Sequence, residues 1–457
     1  MSELPSGWTV ARIGDLISAG GAFVDGDWIE SKDQDPEGDV RLIQLADIGD
    51  GAFRDRSSRS LTSSKASDLR CTYLHAGDVL VARMPDPLGR ACIFPGVTQP
   101  AVTAVDVCIV RPGPGGADPR WLMWTINAPR FRSSISELQS GTTRKRISRK
   151  NLATIELPVP PLNEQRRIVA AIEEQLSRLD AAYASLQRAE LRSEAMRRSV
   201  LNAAFAPIDG IRRLGDLAET QLGKMLSAKS RTGVGTHPYV RNKNVQWGRI
   251  DLDDVLVMDF SERDIQKFSL QLGDVLVCEG GEVGRSAIWR GGIEGCCYQK
   301  ALHRVRVGDQ LLPEYLVHVM RWLADRDAFD PYVTGSTIKH LPQEDLRLIP
   351  VPAPTIAEQR RIVADVEEQL SLLDAILAAV ESAKRRSVAL RRSILERAFR
   401  GELVPQDPSD EPASVLLERI GSGRNASDSG RLAASAFPHA RIALTSRFIG
   451  RLSWSWA

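Results

Sequence analysis

The 457-residue chain has an ordinary globular composition, with 43% hydrophobic residues, 26% charged residues and a mean hydropathy of −0.20. Its formal net charge of +2 is too small to indicate a polyanionic partner, so any case for nucleic-acid binding must rest on local charge clusters. The sequence lacks an apolar run near the roughly 18 residues of a membrane span, and the first residues, MSELPSGWTV, lack the pattern of a secretory signal.

The chain repeats itself. The heptad EQRRIVA occurs at 164–170 and again at 358–364, and the longer segments 163–181 and 357–375 agree at 15 of 19 positions. Other matches follow in the same order, among them IGDL with LGDL and HAGDVLV with QLGDVLV. Because each copy is far longer than a solenoid repeat, these are duplicated domains. Residues 22–70 and 225–265 show almost no correspondence, as expected for two readers of different ligands on one scaffold.

Each copy begins with a mixed α/β region. DVLVAR and DVLVCE are β-branched runs that follow Gly-Asp turns, and VDVCIVRP and ALHRVRVG alternate with period two, so all four predict strands. LMWTINAPRF and EYLVHVMRWLADRDAF predict helices. The proline-rich segments IELPVPPL and IPVPAPT are expected to stop regular structure.

A long helix follows in each copy, from about 163 to 205 and from about 357 to 399. Asn163 is expected to cap the first, and Thr355 with Glu358 forms a capping box for the second. Both stretches are proline-free, and their apolar residues recur at close to 3.5 positions, which is typical of a coiled-coil seam. The simplest arrangement is antiparallel pairing of the two helices, with the globular domains at opposite ends.

Taken together, the G-D-V-L-V runs, S-G-T-T-x-K-R-I and the doubled E-Q-R-R-I-V helix start resemble the specificity subunit of type I restriction–modification systems. The resemblance covers roughly residues 4–420. It implies an α+β fold in which two similar mixed α/β target-recognition domains are separated by two long antiparallel helices that form a coiled coil. The implied segments are target-recognition domain 1 (1–160), a central spacer helix (161–206), target-recognition domain 2 (207–354), a second spacer helix (355–400) and a C-terminal family segment (401–420). Residues 421–457 depart from the family pattern and are interpreted as an atypical, disordered tail or as a translated accident at the end of the gene.

The resemblance also implies the function. Such a subunit binds a bipartite double-stranded DNA target, made of two unlike half-sites with a spacer of fixed length. It does no chemistry itself but recruits two methyltransferase subunits and restriction subunits. S-adenosylmethionine, ATP and Mg are expected on those partners, where adenine is methylated and DNA is cleaved, and no cofactor is expected in this chain.

Candidate DNA-contacting residues form three groups. The first group consists of hydroxyl and cationic side chains beside a glycine. Such side chains suit phosphate oxygens, and arginine can also bind guanine. The alternative is that this segment is only a solvated basic loop. The glycine-bearing loops that end in Arg90 and Arg285 are the second group, and the divergent stretch YVRNKNVQWGR supplies the third. The full set is Thr142, Thr143, Arg144, Lys145, Arg146, Arg90, Arg241, Lys243, Asn244, Arg285, Thr337 and Lys339.

Identical polar residues at two helix starts indicate that one surface is presented twice, to two copies of one partner. The alternative is that the identity is left over from a recent duplication. The predicted partner-binding residues, all taken to be exposed, are Glu164, Gln165, Arg166, Arg167, Glu358, Gln359, Arg360 and Arg361.

Motifs for catalysis are missing from the sequence. It contains no G-x-G-x-x-G, G-x-x-x-x-G-K-[ST] or H-E-x-x-H, and no N-P-P-[YF] of the kind used by adenine methyltransferases. Six scattered cysteines without C-x-x-C indicate reduced thiols and a cytoplasmic location. The rival interpretations are a non-catalytic coiled-coil adaptor and an orphan DNA-binding protein without restriction subunits.

Overall fold

The chain forms two compact units. A computed structural model describes residues 4–84, 87–141, 144–225, 233, 235–335 and 339–435, with side chains described as far as residue 425. Unit 1 comprises Met1–Ala182 and Arg386–Ala457, and unit 2 comprises Tyr183–Arg385. The unit boundaries therefore fall within the two long segments that were predicted to be helices.

Unit 1 contains short strands and helices followed by one long helix. The strands are β1 (Thr9–Arg12), β2 (Ala22–Asp25), β3 (Val40–Ile43), β4 (Ser60–Leu61), β5 (Val79–Ala82), β6 (Ala91–Ile93), β7 (Ala101–Thr103), β8 (Val107–Arg111) and β9 (Glu156–Val159). The helices are α1 (Ser63–Asp68), α2 (Pro119–Asn127), α3 (Pro129–Leu138), α4 (Arg149–Thr154) and α5 (Leu162–Phe205), which continues into unit 2.

Unit 2 repeats this plan. The strands are β10 (Ile211–Arg213), β11 (Ala218–Leu222), β12 (Thr236–Val240), β13 (Val245–Gln246), β14 (Arg249–Ile250), β15 (Leu256–Asp259), β16 (Val275–Cys278), β17 (Ser286–Ile288), β18 (Cys297–Tyr298), β19 (Leu302–Val307) and β20 (Pro350–Pro352). The helices are α6 (Leu214–Leu217), α7 (Glu262–Phe268), α8 (Pro313–Ala324), α9 (Gln343–Leu348) and α10 (Ile356–Ala398). The C-terminal helix α11 (Ala413–Ser435) belongs to unit 1.

The two units share one sheet topology. The order β2-β8-β5-β6 in unit 1 matches β11-β19-β16-β17 in unit 2, and β4-β3-β7 matches β15-β12-β18. The strands predicted from the DVLV runs are β5 and β16, which are buried along their whole length. The sequences of 22–70 and 225–265 do not correspond, yet they supply equivalent strands. The prediction of a common scaffold with divergent regions is confirmed.

The proline-rich segments are not free of regular structure, which corrects the prediction. Strand β9 pairs antiparallel with β1, and Pro158 lies opposite Val10. Strand β20 pairs antiparallel with β10 in the same way. In a two-stranded sheet each strand keeps one edge that needs no partner, so a residue without an N–H group is tolerated there.

The helix predicted at LMWTINAPRF is two helices. Helix α2 ends at Asn127, and α3 begins at Pro129 after Ala128 in an extended conformation. Proline disfavours a helical residue before it but fits the first turn of a new helix. The helix predicted at EYLVHVMRWLADRDAF is α8, which ends at Ala324.

Helices α5 and α10 begin within one residue of their predicted positions. The Glu358 backbone N–H donates to Thr355 Oγ1 at 3.3 Å, as the predicted cap requires. Helix α5 begins at Leu162, so Asn163 lies inside the helix and is not its cap.

Within each unit the segments of the two long helices run in opposite directions. In unit 2, Glu190 pairs with Lys384 at 2.6 Å, and further along α5 Arg197 pairs with Asp374. Ile362, Val366 and Leu370 of α10 pack in the same core as the end of α5. In unit 1, Ile168, Ile172 and Leu176 of α5 pack in the core that also contains Ile394 and Ala398 of α10. The predicted apolar seam and antiparallel pairing are therefore present inside both units.

The tail that was predicted to be disordered starts as helix. Residues 421–435 continue α11, whose Ala413, Leu416 and Ile420 are buried in unit 1. The Arg424 guanidinium donates to the carbonyl oxygen of Gly14. The helix passes Gly421 and Gly423, each of which costs about 1 kcal/mol relative to alanine, and α11 contains no proline that would end it there. Within the described residues, no helix is long and apolar enough to span a membrane.

Candidate nucleic-acid interface

Each unit contains a closed loop at its predicted hydroxyl- and cation-rich segment. The backbones of Ser140 and Arg146 exchange two hydrogen bonds of 2.9 Å, and those of Thr334 and His340 exchange two of 2.8 Å. The glycine after the first residue of each pair has a φ of +92° in unit 1 and +94° in unit 2. This left-handed conformation favours glycine. The two loops, 140–146 and 334–340, are therefore closed by the same hydrogen-bond pattern and enter through a glycine of the same conformation.

The cations of the two loops differ in their surroundings. Arg144, Lys145 and Arg146 are exposed, and among the described residues none of them is in an ion pair. In unit 2, Lys339 is exposed but pairs with Asp330 at 2.6 Å, which raises the pKa of the lysine. Thr142, Thr143 and Thr337 lie outside the described residues. Unit 1 thus presents three unneutralised positive charges, whereas the single lysine of the unit 2 loop is already neutralised by Asp330.

The glycine-bearing loops lie directly beside these cationic loops. The Ile147 backbone N–H donates to the carbonyl of Arg83 at 3.1 Å, and Leu341 donates to Glu279 at 2.7 Å. A Cβ at Gly284 would lie 2.3 Å from the Phe329 ring. This glycine therefore permits a close approach of the loop backbone to an aromatic ring of its own unit.

Arg90 and Arg285, at the ends of these loops, already use some of their donors inside their units. Arg90 Nε donates to the carbonyl of Ile48 at 3.2 Å. Arg285 donates to the backbone and side-chain oxygens of Asn242 at 3.0 and 2.8 Å, and its side chain is only 15% exposed. Both arginines hold a loop in place, and their contact with DNA stays a prediction.

The third predicted group contains one residue that the structure removes from consideration. Asn244 is buried, and its side-chain amide donates to the carbonyls of Asp251 and Asp254 at 2.9 and 3.0 Å. It shapes a turn and has no free edge to read a base, which corrects the prediction. Arg241 and Lys243 both pair with the Asp254 carboxylate at 2.7 Å. Hydrogen bonding by Lys243, with the charge of Arg241, lowers the pKa of that carboxyl.

The repeated glutamine of the EQRR motif is an internal clamp in both units. Gln165 is fully buried; its oxygen accepts from the backbone N–H of Asp118 and its nitrogen donates to the carbonyl of Pro160, both at 2.9 Å. Gln359 is buried in the same way and holds three backbone groups, as described below. The prediction that these glutamines are exposed is wrong.

The glutamate of the motif differs between the copies. Glu164 is buried and accepts from the Trp8 indole N–H at 3.0 Å, so its predicted exposure is also wrong. Burial raises the pKa of this carboxyl, against the hydrogen bond from Trp8 and the charge of Arg167. Glu358 is exposed, as predicted. Helical periodicity missed these contacts because it treats every polar residue as part of a solvated face.

Replacing Gln359 with alanine should lower the free energy of unfolding by about 2 kcal/mol. The N–H of Leu312 and the carbonyls of Gln310 and Pro354, each 2.9 Å from the glutamine amide, would lose that partner in a site that excludes water. Denaturant unfolding of the full chain measures the change. The neighbouring Arg360 is exposed, and its replacement by alanine should stay within about 0.5 kcal/mol. Equal losses in the two variants would contradict the clamp.

The arginines of the motif face different surroundings in the two units. Arg167 pairs at 2.6 Å with Asp410, in the segment that follows α10. Among the described residues, the equivalent Arg361 pairs only with members of its own helix, Glu358 and Asp365, at 3.8 and 3.7 Å. The two motifs therefore do not present identical surfaces, although Arg166 and Arg360 are exposed in both.

A groove of about 790 Å³ borders the start of α10 in unit 2. It is lined by Val200 and Ala204 of α5 and by Glu358, Arg361 and Ile362 of α10. The described residues contain no group of three or more histidine, cysteine or acidic side chains that could hold a metal ion.

Comparison with known proteins gives consistent matches over most of the chain. The family model described as "Type I restriction modification DNA specificity domain" matches twice, at residues 5–189 and 210–382. The EcoKI specificity subunit of a type I restriction enzyme from Escherichia coli (strain K12) is 29% identical over 334 residues, which cover 65% of this chain and 70% of the relative. The EcoBI specificity subunit from Escherichia coli is 27% identical over 380 residues, covering 74% and 79%.

Solved structures share the fold. A chain from a study of "complex assembly and conformational transition of the type I R-M system" superposes with a TM-score of 0.72 at 20% identity, covering 88% of this chain and 100% of that one. The HsdS subunit from Thermoanaerobacter tengcongensis gives a TM-score of 0.52 at 19% identity, covering 88% and 98%. Both matches extend over both units.

Proposed function

We propose a function from one premise: the chain belongs to the family of type I restriction–modification DNA specificity proteins. Its role in such a system is to select the DNA sequence. The proposal is that each unit reads one half-site and that the two half-sites differ in sequence. The observation that carries it is a pair of units with the same sheet topology but with unrelated sequences at 22–70 and 225–265.

In this proposal the two long helices set the distance between the half-sites. Helix α5 has 44 residues and α10 has 43, without an internal proline. At 1.5 Å per residue each is about 65 Å long. The apolar seam and the ion pairs Glu190–Lys384 and Asp180–Arg391 stiffen each pair of helical segments. A stiff spacer fixes the length of DNA between the half-sites and leaves the sequence of that DNA free.

Catalysis belongs to the partners in this proposal. The chain recruits two methyltransferase subunits, which methylate adenine with S-adenosylmethionine, and restriction subunits, which use ATP and Mg to translocate and cleave DNA. The exposed Arg166 and Arg360, with the groove beside Arg361, are the proposed methyltransferase contacts. A cytoplasmic location is proposed for the complex, and the free cysteines of the chain are compatible with it.

The cationic loop of unit 1 supplies a test of DNA contact. Replacing Arg144, Lys145 and Arg146 with alanine should weaken binding of the full chain to a labelled duplex of mixed sequence. The slope of log K against log salt concentration should fall by about 0.9 for each phosphate contact removed. Fluorescence anisotropy over a salt series measures both quantities.

The control removes the same number of charges elsewhere. Arg178, Arg392 and Arg400 are exposed arginines that pair with Glu174, Glu396 and Glu402. Their alanine variant should keep the salt slope of the unmodified chain. An unchanged slope in the loop variant, or the same decrease in both variants, would contradict the loop as a phosphate contact.

A further inference from the structure

Two large apolar side chains are exposed at equivalent positions of the two units. Trp28 of unit 1 is 70% exposed, and Met225 of unit 2 is 62% exposed. Single exposed apolar residues are common on protein surfaces and need no explanation by themselves. These two residues differ from such cases because they lie at equivalent positions and follow the same kind of backbone contact.

In unit 1 a tight backbone contact fixes the residues just before Trp28. Asp27 forms an isolated parallel bridge with Ala104, and a Cβ at Gly26 would lie 2.2 Å from the Ala104 carbonyl oxygen. The Trp28 indole N–H donates to Glu30 at 3.2 Å, which orients the ring. Lys32 pairs with that carboxylate at 2.8 Å and offsets its charge.

Unit 2 repeats the contact with different residues. Lys224 forms an isolated parallel bridge with Gln299, and a Cβ at Gly223 would lie 2.3 Å from the Gln299 carbonyl oxygen. Met225 follows directly, as Trp28 follows Asp27. Both units therefore use a glycine and a bridge to aim one exposed apolar side chain, although the surrounding sequences do not match.

The strand that leads to each exposed residue is hydrogen-bonded to the first residue of the helix that follows the cationic loop of its unit. Arg149 donates to the carbonyl of Phe23 in β2 at 3.0 Å, and Gln343 donates to the carbonyl of Thr220 in β11 at 2.9 Å. Each donor comes three residues after the residue that closes its loop, 140–146 or 334–340. The exposed apolar residue therefore lies on the same framework as the loop 140–146 in unit 1, which is proposed to contact phosphates, and as the equivalent loop 334–340 in unit 2.

We propose that Trp28 and Met225 contact bases of double-stranded DNA through their apolar surfaces, each at one half-site. The inference rests on the proposed function. Apolar side chains contact the thymine methyl group in the major groove or wedge between base steps. A base contact beside a phosphate contact gives sequence information at a fixed register. The different shapes of tryptophan and methionine, each in a divergent region, suit two unlike half-sites.

The test uses the full chain in complex with its methyltransferase partner. Methylation sequencing first gives the target, and competition with duplexes that carry single base-pair substitutions then measures discrimination at each position. Trp28→Ala should reduce discrimination about ten-fold at one or two adjacent positions of one half-site. Met225→Ala should do the same in the other half-site only. Trp28→Phe, which keeps an aromatic ring, should retain most of the discrimination.

Leu272 supplies a matched control, since it is 77% exposed in unit 2 and Leu272→Ala should leave every position unchanged. A wild-type pattern at all positions in Trp28→Ala and Met225→Ala would overturn the inference and leave the proposed function standing. A folded Trp28→Ala variant could also lose all specific binding. If Trp28→Phe binds specifically, that loss supports the inference; if Trp28→Phe does not, the inference is overturned. A wild-type complex without sequence preference would overturn the proposed function itself.

Discussion

Inserting one heptad into each long helix should produce a protein that modifies a new target in which both half-sites are unchanged and the gap is longer. The insertions belong directly after Glu190 in α5 and directly before Lys384 in α10, because these residues face each other at 2.6 Å. Seven residues preserve the 3.5-residue seam and add about 10 Å. At about 3.4 Å per base pair the gap should grow by about three base pairs.

Methylation sequencing of DNA modified by the variant complex measures this result. The original target should no longer be modified. A heptad inserted into α5 alone is the control, because it shifts one helix past the other and separates Arg197 from Asp374. That variant should lose stability rather than acquire a new gap. A double-insertion variant that keeps the original gap, or that alters either half-site, would contradict the helices as the spacer.

Replacing Asp274 with alanine should lower the free energy of unfolding of unit 2 by about 3 kcal/mol, because Arg306 and the backbone N–H of Gln271 both lose the buried carboxylate that accepts their hydrogen bonds. Asp274 is 1% exposed and binds Arg306 through both carboxylate oxygens at 2.8 Å. It also accepts from the backbone N–H of Gln271 at 2.7 Å. This aspartate is the D of the repeated G-D-V-L-V, and Asp78 makes the equivalent pair with Arg111 in unit 1.

Denaturant unfolding of the full chain measures the loss. Replacing the exposed Asp309 with alanine should change the free energy of unfolding by less than about 0.5 kcal/mol. The double variant of Asp274 and Arg306 should cost less than the sum of the two single variants, because partners in one pair are coupled. Additive losses would show that the pair does not act as a unit.

The sequence was sufficient to predict the scaffold. Proline-free stretches with an apolar seam gave α5 and α10 to within one residue at each end. The DVLV runs gave β5 and β16 because β-branched residues after a Gly-Asp turn favour a buried strand. Duplication itself indicated two units of one fold. These features depend on local propensity and periodicity, which a single sequence displays directly.

The roles of polar residues were predicted less well. Gln165, Gln359 and Asn244 were assigned to surfaces, but each satisfies backbone groups in the interior of its unit. Their partners lie up to 49 residues away in the chain, so neither spacing nor composition reveals them. Identical glutamines just after a proline-rich strand were the available signal, since a buried clamp tolerates replacement less than a solvated side chain does. Trp28 and Met225 were missed because their equivalence depends on backbone bridges between regions without sequence similarity.

The two units are proposed to read two different DNA sequences at a fixed distance from each other. Single-molecule methylation sequencing tests this directly, in a genome modified by this chain and its methyltransferase partner. We expect one two-part motif, with two different short sequences separated by a gap of constant length and arbitrary sequence. Modification at a single uninterrupted word, or at two words separated by a variable gap, would contradict it.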